Sequence, residues 1–301
     1  MKKLFCVFAV LLCALFLYSD NFDWTKPAKR IADGILLGQI AAENPNQNVY
    51  CLRIDTEMGY KFYTTPRISD EEGYIDGERE TWKKTLKNFM KAFQSEEKLM
   101  LVAVNNDFFS PWPPKNPNDP ANLINFSVSD GVLVSSPVGT PAFIVDKNGK
   151  CSIREVKKGD DISDVWVACG SNGYVLKDGN PIKGDGAFHP RTVCGVSQDG
   201  KYVFFMVIDG RRHRSRGADN LEEGNWLKYF GAYNGINFDG GGSSAMVYWD
   251  ITERKTENRC KFINQPNAVN WLAKTQEEED AGFYIQERNL GNSLGVYKEI
   301  K

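Results

Sequence analysis

The sequence contains one segment whose residue types could hold an anion and act on a neighbouring bond, Asp239-Gly240-Gly241-Gly242-Ser243-Ser244. Consecutive glycines weaken a strand, so this run is typical of backbone that bends tightly or lies close to another group. Successive N–H groups in such a bend can converge on an anion, and Asp239 would face the group that they bind. A plain glycine-rich hairpin with a turn-favouring aspartate is the alternative. The segment differs from a P-loop, which needs a lysine next to its serine or threonine.

The sequence lacks the residues that several other classes of catalytic site need. The chain of 301 residues has two histidines, His189 and His213, and no G-x-S-x-G segment. These facts disfavour a Ser-His-Asp hydrolase and a histidine zinc site. Five cysteines follow residue 19 without any C-x-x-C spacing, and one disulfide with unassigned partners is compatible with them. Acid–base chemistry should therefore fall to aspartate and glutamate side chains.

The charge pattern and the N-terminus indicate the compartment and the class of partner. A net charge of −2, with scattered lysines and arginines, gives no indication of nucleic-acid binding. The densest basic run, residues 211–216, could form an electropositive substrate rim or a solvated loop. A basic start and an apolar run from Leu4 to Leu17 predict a signal peptide over residues 1–19. We therefore expect a periplasmic or extracellular protein without a stable membrane span after cleavage, and an uncleaved anchor is the alternative.

Hydrophobic patterns predict that the candidate residues lie at strand ends. The apolar strand Leu99–Val104 leads into Asn105 and then into a proline-rich loop, which could form a wall of a site or a plain connection. A hairpin over residues 192–208 and a capped helix over residues 219–231 precede the strand that ends at Asp239.

The other patterns predict a strand-rich fold with few helices. Strands cover residues 31–63, and helical spacing of apolar residues predicts a core-facing helix over Arg79–Ser95, with a partner-binding helix as the weaker alternative. Residues 250–280 are polar and are predicted to be irregular, and residues 294–297 form a closing strand. The expected fold class is α+β, as a single domain rich in antiparallel or mixed β-sheet with a few packed helices.

Five sequence features occur in an order that resembles the phosphodiester glycosidase family. They are an Asn-containing strand end before two phenylalanines (Asn105–Phe109), an Arg-Thr strand with a partner strand ending in Asp-Gly-Arg (Arg191–Arg211), a glycine and a helix with an early glutamate (Gly217–Ala232), the glycine-rich strand end (Asn237–Ser244) and a closing R-x-L-x-N-x-L (Arg288–Leu294). The resemblance implies a catalytic domain over residues 99–301, with N-terminal strands and a helix over residues 20–98 packed on it.

The resemblance implies hydrolysis of a sugar that is linked through its anomeric carbon to phosphate, in an envelope or extracellular glycan. That reaction needs a held phosphodiester, stabilisation of the oxocarbenium charge, and access of water or a carboxylate to the anomeric carbon. Asp239 is the leading candidate for the base or nucleophile. Glu222 and Asp209 compete with it, although Glu222 could instead cap its helix and Asp209 could only shape its turn.

Arg191 is the expected phosphate clamp, because a guanidinium group can bind two oxygens at once. The other candidate substrate-binding groups are the hydroxyls of Thr192 and Ser243, the N–H groups of Gly240, Gly241 and Gly242, the side chains of Asn105 and Asp107 for sugar hydroxyls, and Arg288 with Asn292 as braces of the loop. The acidic groups could also bind a divalent cation, although no EF-hand-like spacing occurs. A non-catalytic glycan- or sugar-phosphate-binding protein and a glycosidase for ordinary polysaccharide linkages are the alternatives.

Overall fold

The computed structural model describes residues 21–111, 119–267 and 287–300, together with residues 275 and 277. The predicted signal peptide and most of the proline-rich loop lie outside these residues. The strands of the first half are β1 (Lys29–Ala32), β2 (Ile35–Glu43), β3 (Asn46–Asp55), β4 (Lys61–Thr64), β5 (Thr81–Trp82), β6 (Lys98–Asn105), β7 (Phe109–Ser110), β8 (Pro120–Leu123), β9 (Ser127–Ser129), β10 (Val132–Ser135) and β11 (Pro141–Asp146). Those of the second half are β12 (Cys151–Glu155), β13 (Val165–Gly170), β14 (Tyr174–Lys177), β15 (Asn180–Pro181), β16 (Arg191–Val196), β17 (Tyr202–Ile208), β18 (Asn234–Asn237), β19 (Met246–Trp249), β20 (Cys260–Phe262) and β21 (Ser293–Glu299). The α-helices in the described residues are α1 (Leu86–Phe93) and α2 (Asn220–Phe230).

The strands form four sheets, and every described pairing between them is antiparallel. The largest sheet has the order β1-β2-β3-β17-β16-β18-β14-β15. Two sheets of five strands have the orders β10-β9-β13-β11-β12 and β20-β19-β6-β21-β4, and a small sheet has the order β5-β8-β7. The expected antiparallel character is confirmed, and helices are few. The N-terminal strands are built into these sheets, because β3 pairs with β17 and β4 pairs with β21.

The hydrophobic core lies on both faces of the largest sheet. Successive residues of β17 alternate between the two faces, as the pleat of a strand requires. Phe205 packs in the cluster that joins this sheet to the two five-stranded sheets, whereas Phe204 packs against Trp226 and Phe230 of α2. Helix α1 covers the far side of the β6 sheet through residues such as Phe89. The order of layers is therefore α2, the largest sheet, the two five-stranded sheets and α1. The helices cover sheet faces and leave the strand ends uncovered.

Local sequence signals explain the elements around the candidate site. Asp219 and Glu222 form the predicted capping box of α2, and the helix ends at Gly231 with φ +105°. The expected hairpin is β16 and β17, and β6 is the central strand of its sheet. These elements lead the chain from α2 into β18, after which Asp239 follows.

Two predictions of secondary structure were wrong in extent. Helix α1 begins at Leu86 and not near Arg79, because Thr85 caps it and Thr81–Trp82 pairs as a strand with β8. The hydroxyl oxygen of Thr85 accepts a hydrogen bond from Asn88 N at 3.2 Å. The segment predicted to be irregular contains β20, which pairs with β19 at the edge of the sheet.

The five cysteines of the described chain, Cys51, Cys151, Cys169, Cys194 and Cys260, are buried free thiols and form no disulfide there.

None of the helices in the described residues combines the length and apolar character that crossing a bilayer requires.

Candidate active site

The glycine-rich bend opens into a cavity of about 300 Å³ at the ends of β16 and β18. The lining residues are Phe108, His189, Arg191, Arg211, Asp239, Gly240, Gly241, Gly242 and Arg288. Three of these side chains are guanidinium groups, and Asp239 is the one carboxylate in the described lining. The cavity is therefore cationic overall, which favours an anionic ligand.

The glycine run forms a short 3₁₀ turn, Gly241–Ser243, and not an open cradle of amides. Gly241 has φ +62°, and the backbone of Gly240 lies so close to Pro190 that an added Cβ would be 2.8 Å from the Pro190 carbonyl oxygen. The Gly241 N–H donates to that carbonyl oxygen at 2.8 Å. The Gly240 N–H donates to the Asp239 carboxylate. The expectation that successive amides converge on a ligand is therefore wrong for Gly240 and Gly241, although all three glycines line the cavity.

Asn105, at the end of β6, forms hydrogen bonds to the backbone on both sides of the glycine-rich bend. Its Nδ2 donates to the carbonyl oxygen of Asp239 at 2.7 Å, and its Oδ1 accepts from Ala245 N at 3.0 Å. The hydroxyl of Thr192 donates to the same Oδ1 at 2.8 Å. Both side chains are buried. Asn105 and Thr192 thus brace the loop, and the predictions that they contact sugar and phosphate are corrected.

The carboxylate of Asp239 lines the cavity, and its pKa is raised from the ordinary value. Burial raises the pKa of Asp239 to about 6. The Ser243 hydroxyl and the Gly240 N–H donate hydrogen bonds to the carboxylate, and the charge of Arg288 adds to their lowering effect. A carboxylate of this kind is ionised at neutral pH and can still accept a proton during a reaction.

The two neighbouring aspartates of the sequence prediction have structural contacts. Asp107 is buried, and it accepts from Asn125 N at 3.1 Å and from Asn125 Nδ2 at 2.8 Å. Burial raises the pKa of Asp107 well above its ordinary value. Asp209 is buried as well, and its Oδ1 accepts from Asn264 Nδ2 at 3.0 Å and from Gln265 N at 3.2 Å. Neither aspartate lines the cavity, so a direct role in chemistry or sugar binding is not supported by this geometry.

Glu222 and its neighbour Glu223 have separate environments at the start of α2. Glu222 completes the capping box and also accepts from Gln47 Nε2 at 2.9 Å and from Arg216. The structure therefore gives it the capping role that was one of its two predicted roles, and Glu222 does not line the cavity. Glu223, for which no sequence pattern predicted a role, is fully buried beside the cavity residue Arg191.

Arg191 lines the cavity from a fixed position. Its Nε lies 2.9 Å from Glu223 Oε1 and donates to the carbonyl oxygen of Ala218 at 2.8 Å. Its Nη2 donates to the carbonyl oxygen of Ala187 at 2.6 Å. These contacts orient the guanidinium group but use two of its nitrogens. Arg191 thus contributes positive charge to the cavity, while much of its hydrogen-bonding capacity serves the protein.

We expect Glu223→Gln to reduce the pH dependence of stability. Burial raises the pKa of Glu223 from 4.5 to about 8, and the charge of Arg191 opposes this rise. Between these two values the folded protein retains a proton that the unfolded chain releases, so the free energy of unfolding falls as pH rises. Urea unfolding of both proteins at pH values across this window should give a flatter profile for Glu223→Gln. Parallel profiles would contradict the assignment, since Asp239 contributes equally to both.

Arg211 and Arg288 bring the other two guanidinium groups to the glycine bend. A Cβ built on Gly241 would lie 3.1 Å from Arg211 Nη2, so this group packs against the bend. Arg211 itself has φ +57°, a strained conformation for a non-glycine residue. Arg288 Nη1 donates to Ser243 Oγ at 3.2 Å. Both residues are therefore placed to contact a ligand held at the bend.

Asn292 is outside the cavity lining, whereas His189 is part of it. Asn292 is buried away from the cavity, where its Oδ1 accepts from Thr64 Oγ1 at 2.6 Å, so it braces the fold and not the bend. His189 lines the cavity and is exposed, and its pKa is lowered by burial and by the charges of Arg191 and Arg211. His189 is thus neutral at pH 7. Its proximity to Pro190 and Arg191 in the sequence was the signal that could have indicated its place in the site.

The described residues contain no group of three or more His, Cys, Asp or Glu side chains arranged to hold a metal ion. The divalent cation therefore stays a prediction of the sequence analysis.

The fold and the site together place three guanidinium groups beside one ionisable carboxylate in the described lining of a single cavity. Over residues 100–297 the chain matches the model of the phosphodiester glycosidase family, and it belongs to that family of hydrolases. The resemblance stated from the five sequence features is thereby confirmed. No curated protein matches the chain.

Solved structures with a similar fold are distant in sequence. The catalytic domain of zebrafish N-acetylglucosamine-1-phosphodiester α-N-acetylglucosaminidase, auto-inhibited by its pro-peptide, has a TM-score of 0.57 and 17% identity, with 87% of this chain and 81% of that chain covered. A hypothetical protein from Synechocystis has a TM-score of 0.53 and 11% identity, covering 88% and 62%. A proposed exported protein from Burkholderia pseudomallei K96243 has a TM-score of 0.52 and 14% identity, covering 83% and 74%.

Proposed function

We propose that this protein is an exported hydrolase that cleaves a sugar-1-phosphodiester linkage in an envelope or extracellular glycan. The observation that carries the proposal is the cavity whose described lining combines three guanidinium groups with a single carboxylate, Asp239. Export is supported by the basic start and the apolar run of residues 1–19. Family membership supports the class of reaction.

The number of carboxylates in the cavity favours phosphate as the leaving group. An ordinary glycosidase uses two carboxyl groups, one of which protonates the departing oxygen. A phosphodiester leaves without that help, so one carboxylate is sufficient. Among the described lining residues only Asp239 is acidic. This arrangement therefore supports a glycosyl phosphate more strongly than an ordinary polysaccharide linkage.

Four of the cavity residues have a role in the proposed reaction. Arg211 and Arg288 bind the phosphate oxygens, and Arg191 adds positive charge from its fixed position. The ionised Asp239 either removes a proton from the attacking water or attacks the anomeric carbon itself, and in the second case water then hydrolyses the glycosyl ester and restores the carboxylate. The bond between the anomeric carbon and the phosphate oxygen breaks, and its electron pair leaves with the phosphate. The products are a free sugar and a phosphate monoester.

A substrate panel tests this proposal. The purified protein should hydrolyse a sugar-1-phosphodiester, such as a methyl or uridyl diester of N-acetylglucosamine 1-phosphate, and release phosphate monoester. It should be much less active on aryl glycosides of the same sugar, because these do not engage the guanidinium groups. Binding of the diesters without turnover would favour a non-catalytic binding protein. Faster hydrolysis of aryl glycosides would favour an ordinary glycosidase.

A further inference from the structure

A second, larger cavity lies at the far end of the β6 sheet, with a volume of about 800 Å³. We call this cavity the distal groove. It is formed by the chain around β4 and β21 and by the turns that join β9 to β10 and β11 to β12. Its lining includes Tyr60, Lys61, Lys98, Asp130, Trp166 and Glu299.

The distal groove is separate from the candidate active site. Lys98 at the start of β6 lines the groove, and Asn105 at the end of β6 holds the glycine bend. A strand rises about 3.3 Å per residue, so these two ends are roughly 20 Å apart. Among the residues that the structure describes, none lines both cavities. A ligand of the groove would therefore bind apart from the reacting atoms.

Trp166 forms an exposed aromatic surface in this groove. Its exposed fraction is 39%, whereas Val165 and Val167 beside it on β13 are buried. One side of the indole lies over Gly131, where an added Cβ would be 3.2 Å from ring carbons Cε3 and Cζ3. Gly131 has φ +75°, and its N–H donates to the Trp166 carbonyl oxygen at 2.8 Å. The ring is thus held in position before any ligand arrives.

The half-buried ring of Tyr60 extends this surface, whereas Tyr297 lines the groove from a buried position. The Tyr60 hydroxyl donates to the carbonyl oxygen of Asp33. The Tyr297 ring packs against Phe93, with 4.8 Å between the ring centroids. Aromatic rings that are fixed in this way present flat apolar faces at a low entropic cost of ordering, and such faces match the C–H face of a sugar ring.

The charges of the distal groove are balanced, in contrast to those of the active-site cavity. The lining contains three lysines and three carboxylates. Lys61 Nζ lies 2.6 Å from Glu299 Oε1, so these two side chains form an ion pair. Burial raises the pKa of Asp130, and the positive charges of Lys98 and Lys61 oppose this rise. A groove without net charge neither attracts a phosphate nor selects a charged peptide. Its many donors and acceptors, together with its rings, favour a neutral ligand rich in hydroxyl groups.

From this combination we infer that the distal groove binds an uncharged stretch of oligosaccharide, with Trp166 as its stacking surface. The inference extends the proposed function, because such a groove would keep the protein on a glycan whose phosphodiester is cleaved at the other cavity. Binding in the groove does not require cleavage, however, so the two proposals can fail separately.

Calorimetric titration tests the inference. Asp239→Asn protein, chosen to exclude turnover, is titrated with cellohexaose, maltohexaose and chitohexaose. At least one should bind, and Trp166→Ala in the same background should weaken that binding about tenfold or more, because ring stacking and apolar burial are lost. Trp166→Phe should retain most of the affinity. Val138→Ala, which truncates an exposed apolar side chain outside the groove, should leave the affinity unchanged.

Three results would overturn the inference. They are the absence of binding by any of the three hexasaccharides, equal affinity of the Trp166→Ala protein when its thermal unfolding is unchanged, and tighter binding of hexalysine or hexaglutamate than of the sugars. A loss of binding that Trp166→Phe fails to restore would also count against stacking. If the sugars bind as expected but no phosphodiester is cleaved, the proposed function fails and the groove assignment stands.

Discussion

Asp239→Asn is expected to lower kcat for a sugar-1-phosphodiester by about 10²–10⁴-fold without unfolding the protein. Asparagine has nearly the same shape and keeps an acceptor for the Ser243 hydroxyl and the Gly240 N–H, so the bend should persist. It cannot accept a proton or carry the negative charge that stabilises an oxocarbenium ion. Initial rates at saturating substrate, with circular dichroism of both proteins, measure the effect.

A matched control separates chemistry from general loss of charge. Asp199 is exposed in the turn between β16 and β17, where its Oδ1 accepts from the Ser197 hydroxyl at 2.6 Å and from Lys201 N at 3.0 Å. Asp199→Asn makes the same change far from the cavity and should leave kcat within about twofold, since surface substitutions rarely exceed ±0.5 kcal/mol. Near-normal turnover by Asp239→Asn would rule out Asp239 as the catalytic carboxylate.

The pH profile gives an independent measure of the same role. Burial raises the pKa of Asp239 to about 6, and the ionised form is the active one, so kcat/KM should rise with pH up to about 6 and then level off. His189 also lines the cavity, and its pKa is lowered by burial and by the charges of Arg191 and Arg211. Its contribution is separated by His189→Gln, which should retain the acidic limb if that limb belongs to Asp239. Loss of the acidic limb of kcat/KM in the His189→Gln protein would assign that limb to His189 instead of Asp239.

Much of the framework around the site follows from local sequence signals. The capping box at Asp219 and the glycine at 231 define α2, and the alternating apolar residues of β16 and β17 define the hairpin, because each signal acts within a few residues. The glycine run indicated close backbone approach, and Gly240 does lie against Pro190. Local chemistry thus predicted the elements and the position of the bend.

The roles of individual side chains depend on partners that are distant in sequence. Asn105 bonds to Asp239 and Ala245, which are 134 and 140 residues away along the chain. Only the fold shows that these contacts use its amide, although an amide at the end of a buried strand generally needs such partners. Glu223 was overlooked for the same reason, because its partner Arg191 lies on a different element.

The basic run of residues 211–216 shows why composition alone left two interpretations. Arg211 lines the cavity, whereas Arg212 is buried and its Nη2 donates to the carbonyl oxygen of Gln265 at 2.8 Å. Arg214 is exposed, and Arg216 pairs with Glu222. The run therefore contributes one residue to the cavity, one to the protein interior and others to the solvent-facing surface. The backbone of the Asp-Gly-Arg turn, with its positive φ at Arg211, decides which guanidinium group reaches the site.

Arg211→Met should lower kcat/KM for a sugar-1-phosphodiester by about 10²–10³-fold, comparable to the loss of one preorganised donor to a developing anion. The phosphate gains negative charge as the bond to the anomeric carbon breaks, so the guanidinium group binds the transition state more tightly than the substrate. The loss should therefore fall mainly on kcat. Methionine fills a similar apolar volume, and steady-state kinetics on a diester and on an aryl glycoside of the same sugar measure the effect.

Two variants make this prediction specific for the position of Arg211. Arg214→Met removes the same charge from an exposed site in the same run, and solvent and salt screen such a charge, so kcat/KM should change little. Arg211→Lys keeps the charge but loses the planar fork that binds two oxygens, so it should recover only part of the activity. Equal losses in Arg211→Met and Arg214→Met would mean that the total charge of the loop attracts the substrate. A loss confined to Arg211 would mean that the strained turn places one guanidinium group on the phosphate, next to the carboxylate of Asp239.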